Sequence, residues 1–90
     1  MDLQKELTKK DNMESLEERK LIMKLFDKYQ NFLPQSQKQA MYLRFFEDLS
    51  YSEIGEILAT TRTAVFDAIK KGKQKLLEID KKIGYSTFFA

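Results

Sequence analysis

The ninety-residue chain has no cysteine, no histidine and no tryptophan, a single proline and three glycines. Without cysteine there can be no disulfide, no thiolate metal site and no cysteine nucleophile. Without histidine the commonest general base and the commonest metal ligand are missing. The glycines stand apart at Gly55, Gly72 and Gly84, so there is no glycine-rich phosphate loop. The carboxylates fall at helical surface spacing rather than paired within an apolar pocket. No catalytic residue, metal site or cofactor is therefore expected, and the chain does not read as an enzyme. Long apolar runs are lacking too. The first twenty residues are charged and contain no stretch that suits a signal peptide. Nothing approaches the roughly eighteen apolar residues of a membrane span. The expectation is a cytoplasmic protein without membrane insertion.

What is present suits one small domain. Hydrophobic residues make up 42% of the chain, and seven Phe with four Tyr supply large buried areas from few positions. The net charge of +2 is small but unevenly placed. Residues 1–60 carry nine basic and eleven acidic side chains, whereas residues 61–90 carry seven basic (Arg62, Lys70, Lys71, Lys73, Lys75, Lys81, Lys82) against three acidic. Lysine-rich helix surfaces also serve solubility alone, so this asymmetry gains meaning only from what surrounds it.

Residues 1–14 are polar and poorly periodic, which reads as a flexible N-terminal tail ahead of a single domain over 15–90. Ser15 and Glu18 have capping-box spacing before Leu16, Ile22, Phe26, Tyr29 and Leu33, which predicts a helix from Leu16 to Phe32. Leu21, Leu25 and Phe32 widen its apolar arc, as suits a helix touching two partners. Pro34 disfavours helical geometry at Leu33 and suits the first turn of a second helix, about Gln35 to Phe46.

The most informative run is Asp48 to Val65. Ser50 and Glu53 form another capping box, so a short helix begins after Ser50, with Ile54, Ile57 and Leu58 as its apolar stripe. Gly55, with almost no side chain, lets the following helix cross closely. Thr61 caps that helix, in which Val65, Ala68 and Ile69 turn inward. Two short helices joined by a tight turn make a helix-turn-helix, whose second helix usually enters the DNA major groove. The turn departs from the usual pattern: Ala59 stands where glycine is common, and Thr60 where an apolar residue would plug the core. The predicted fold is all-α, a small bundle of about five helices with a sigma-like helix-turn-helix and a long C-terminal helix.

On that helix Arg62 and Thr63, with Thr61 at the cap, fall where side chains reach base edges. Phe66 and Lys70 share their outward face. Arg62 suits bidentate pairing with guanine, and Lys70, Lys71 and Lys73 suit phosphates. Phe66 fits either a thymine methyl or a covering role on the adjacent helix. Asp67 opposes phosphate contact unless it pairs with Lys71 or accepts from a cytosine amino group. Farther along, Val65, Ile69, Gly72, Leu76, Ile79 and Ile83 form a heptad-like seam longer than a recognition helix needs. It can pack within the chain or join two copies, and a homodimer using Leu76, Ile79, Ile83 and the tail residue Phe88 is expected.

Two resemblances rest on these residues. Leu33-Pro34, Leu43-Arg44-Phe45 and Leu49 to Ile54 look like the promoter-reading C-terminal domain of sigma factors. The chain has no segment for the polymerase-binding core of those factors, so a full sigma factor is not expected. From about Leu21 to Tyr85 the chain resembles the YlxM family of small bacterial proteins. Leu25 to Tyr29 is similar to the family's first-helix signature, and Asp48-Leu49-Ser50, Glu53-Ile54 and Glu56 to its next block. Arg62, Ala64 to Asp67 and Ile69-Lys70-Lys71 resemble the most specific block, with Phe66 for a usual Tyr and Lys71 for a usual Arg. Ala59 and Thr60 depart from the family's Gly and apolar residue. The resemblance implies an all-helical sigma-like domain and a role with the signal recognition particle. Two functions follow: a DNA-binding regulatory protein, or a module contacting protein or RNA of that particle without reading bases.

Overall fold

Ser15 starts the first helix as its spacing to Glu18 predicts. In the computed structural model, which describes residues 15–84, Ser15 Oγ accepts from the Glu18 backbone N–H at 3.0 Å, and α1 runs Leu16–Tyr29. The Glu18 carboxylate does not complete the box but faces Lys73 Nζ at 3.5 Å. Nor does the helix reach Phe32 as an α-helix. It tightens into a 3-10 turn, Gln30–Phe32, because Pro34 holds Leu33 extended with ψ at 142°. Pro34 is the N-cap of α2, Gln35–Phe45, and its carbonyl accepts from the Lys38 N–H at 2.9 Å.

Beyond α2 the chain reverses at Asp48, whose φ is 59°. A short polar side chain tolerates the left-handed region better than most. The Asp48 carboxylate is also held by the Arg19 guanidinium at 3.3 Å. Two further helices follow, α3 over Tyr51–Ile57 and α4 over Arg62–Ile79. Past Ile79 the chain winds more widely through a π turn, Asp80–Gly84. The Tyr29 hydroxyl secures that turn by donating to Asp80 Oδ1 at 3.1 Å. Burial, and then this carboxylate's hydrogen bond and charge, push the Tyr29 phenol above its ordinary pKa of 10.0. Among the described residues the fold is all-α, with four α-helices where about five were predicted.

α4 is the hub, packed against α1, α2 and α3. Ile22, Met41, Ile54, Val65, Ile69 and Leu76 are the largest fully buried side chains, so all four helices meet in one core. Full burial of each such side chain contributes about 1.5–3 kcal/mol. Leu76 was expected at an interface between copies. It is fully buried within the chain, because α4 turns it toward α1 and α2 along with Ile69 and Gly72. Ile79 is partly buried against the same core, and Ile83 is 42% exposed. Phe88, the rest of the aromatic tail and residues 1–14 lie outside the described residues. Phe46 sits at the edge of the core, stacked on Tyr42 at 5.4 Å and tilted against Phe26 at 5.5 Å.

Candidate nucleic-acid interface

The junction of α3 and α4 is built from local rules. At Ser50 the capping box is complete: the hydroxyl accepts from the Glu53 N–H at 3.1 Å, and Glu53 Oε1 accepts from the Ser50 N–H at 2.8 Å. α3 ends with Thr60 N–H donating to Gly55 O at 2.8 Å and Ala59 N–H to Glu56 O at 3.3 Å. These paired bonds close a Schellman motif, with its left-handed residue at Ala59, φ 56°. The turn therefore has helix-turn-helix geometry although alanine carries it, at a backbone cost of about 1–2 kcal/mol. Thr60 is exposed, and the partly buried Leu58 packs against the core instead. A Cβ on Gly55 would come within 2.9 Å of Thr60 O, so the turn closes onto bare helix backbone.

Thr61 then caps α4, its Oγ1 accepting from the Ala64 N–H at 3.0 Å. Thr61, Arg62, Thr63, Phe66 and Lys70 are all exposed. At about 100° per residue, Arg62, Phe66 and Lys70 fall along one flank of α4. Phe66 meets Tyr51 of α3 edge to face at 5.5 Å. Arg62 stands 6.0 Å from the same ring. Tyr51 is buried and carries the Arg44 guanidinium at 4.3 Å. Arg44 is itself buried and donates through Nη1 to Leu49 O at 3.0 Å. One ring thus joins the loop before α3 to the first turns of α4.

The other two lysines expected at phosphates are engaged by carboxylates of the chain. Lys71 lies on the other flank, 3.1 Å from Asp67, beside a cleft of about 390 Å³ between α2 and α4. Lys73 turns toward α1, with its side chain 23% exposed and Glu18 at 3.5 Å. Helical rotation brings Lys73 closer to the core-facing stripe than Lys70, which explains the difference. Sequence reasoning missed Arg44, and with it the role of Tyr51, because a buried arginine reads as surface in sequence. Its i+4 spacing from buried Ala40 is the signal that places it inward. Among the described residues no acidic cluster is arranged to hold a metal ion, and no helix is long and apolar enough to cross a membrane.

The family model described as "Putative helix-turn-helix protein, YlxM / p13 like" matches residues 16–87, which include all four helices. The chain belongs to the UPF0122 family. It is 40% identical over 68 residues to a UPF0122 protein of Clostridium novyi, covering 76% of this chain and 59% of that one. A UPF0122 protein of Clostridium botulinum is 37% identical over 68 residues, with 76% and 62% covered. One from Bacillus cereus is 42% identical over 59 residues, with 66% and 54% covered. The matched part thus spans between about half and two thirds of these relatives' lengths. No solved structure matches the chain. The resemblance to the YlxM family, drawn from short blocks of residues, is thereby confirmed for this UPF0122 chain.

Proposed function

We propose that this UPF0122 chain is a cytoplasmic regulatory protein that binds duplex DNA with the first turns of α4. The observation that carries the reading is the exposed set Thr61, Arg62, Thr63, Phe66 and Lys70 on a helix whose start is fixed by backbone contact at Gly55. Arg62 and Thr63 supply donors for base edges, and Lys70 supplies charge for phosphate. The Asp67–Lys71 pair limits the repulsion a lone carboxylate would bring.

The test is anisotropy titration of random-sequence duplexes across a range of salt concentrations. Each phosphate contact contributes about 0.9 to the log-log salt slope. Arg62→Ala/Lys70→Glu should fold normally, bind less and show a shallower slope. Unchanged affinity and slope in that variant would sink the reading.

Contact with protein or RNA of the signal recognition particle is the second reading. It is favoured by a groove of about 360 Å³ lined by Phe26, Tyr42, Leu43, Ile57 and Leu58, away from the α4 flank. Pairing of two copies belongs to the proposal as well. Leu77 late in α4 and Ile83 in the π turn after it, 46% and 42% exposed, are the residues that suit it. Concentration-dependent sedimentation, reduced in Ile83→Lys, is the expected outcome.

A further inference from the structure

Phe66 is an expensive side chain to leave in water, and its surroundings keep it there. It is 48% exposed, yet its ring is engaged by Tyr51 at 5.5 Å and 81°. Tyr51 cannot yield, since it is 4% exposed and stacked under Arg44 at 4.3 Å. The outer part of the Phe66 ring is therefore presented in a fixed place, with little ordering entropy left to lose on binding. Arg62 and Lys70 lie one turn before and one turn after it on the same flank, each roughly 6 Å away along the helix axis.

An apolar ring between two cations matches an apolar spot within a polyanion. The major groove of duplex DNA offers one such group, the 5-methyl of thymine, beside the guanine acceptors that suit arginine. Duplex RNA lacks this methyl, and its major groove is too narrow for side chains to read. We infer that Phe66 reads the 5-methyl group of a pyrimidine in the major groove, close to the base or phosphate met by Arg62. The inference rests on the DNA reading above and makes that reading selective for thymine over uracil.

The experiment starts from duplexes selected by the full chain from a random pool. Each thymine of a selected duplex is replaced in turn by deoxyuridine, which removes one methyl and keeps the base pair. Wild type should lose about three- to fivefold in affinity at one or two positions, the size expected for one buried methyl. Phe66→Ala should bind more weakly and lose that position-specific sensitivity, while remaining sensitive to replacement of guanine. Phe66→Leu, which keeps apolar bulk against Tyr51, serves if the alanine variant fails to fold, and its sensitivity should be reduced. Indifference of the wild type to every deoxyuridine overturns the inference while leaving DNA binding intact. Undiminished sensitivity in the variants overturns it too. Failure to bind any duplex overturns the DNA reading and this inference together.

Discussion

The two halves of α4 touch the rest of the molecule on different terms. Its first half, besides the Phe66–Tyr51 ring contact, meets α3 and the turn at close backbone range: a side chain at Gly55 would strike the carbonyl of Thr60. Its second half meets α2 through side chains, since a Cβ at Gly72 would strike the thioether of Met41. Backbone contact gives way little, whereas a methionine can re-rotate. The half that presents Arg62 and Phe66 is thus fixed in position, and the half carrying Leu76 and Ile79 is cushioned.

Breaking the cushioned half requires removing volume. Leu76→Ala should destabilise the domain by about 2–5 kcal/mol in urea unfolding, because a fully buried leucine leaves a cavity. Ile83→Lys, near the end of the same seam, should change stability by less than about 0.5 kcal/mol. Equal losses from the two would mean that the seam is buried along its whole length.

The contrast between the two glycines is sharper still. Gly55→Ala should cost about 1–3 kcal/mol, despite the gain of roughly 1 kcal/mol that alanine brings to a helix. Gly72→Ala receives the same gain and meets a movable side chain, so its net change should stay within about 1 kcal/mol. If the order were reversed, the assignment of rigid and cushioned halves would fail.

Between the halves of the helix-turn-helix, Ala59→Gly should stabilise by about 0.5–1 kcal/mol, because glycine adopts the left-handed conformation without a Cβ penalty. A loss of stability would show ordinary helical backbone there in solution. The smallest effect concerns Tyr29 at the far end. Its phenol is held above 10.0 in the fold, so the unfolded chain ionises first. That stabilisation is present below the unfolded value and lost as pH rises through the folded one. Tyr29→Phe should remove this component from the alkaline fall in stability, while leaving the neutral-pH fold intact by circular dichroism.

Local signals carried far into the fold. The spacing of Ser50 to Glu53, the hydroxyl at Thr61 and the small residue at Gly55 are short-range features whose physics needs no tertiary context. The helix-turn-helix was accordingly legible, as was the inward row Val65, Ile69, Gly72. Long-range pairing was not. Lys73 reads as another surface lysine until α1 brings Glu18 beside it, and Glu18 leaves its cap to meet it. The same limit hid Arg44, whose burial depends on the Tyr51 ring and the Leu49 carbonyl arriving from the next segment. Leu76 shows a different limit: periodicity gives the face of a helix but not whether that face meets its own chain or another.

On the proposed DNA-binding reading, the glycine contact also bears on how the target could be changed. Because the backbones of α3 and the turn set where α4 begins, its outward side chains have little part in holding it there. Thr63 and Lys70 are then interchangeable without disturbing the scaffold, and a library randomised at these two positions should return mostly folded members. Phe66 differs, since exchanging it also strips Tyr51 of its cover. Under that proposal, retargeting by substitution is open at Thr63 and Lys70 and constrained at Arg62 and Phe66, whose side chains meet the Tyr51 ring.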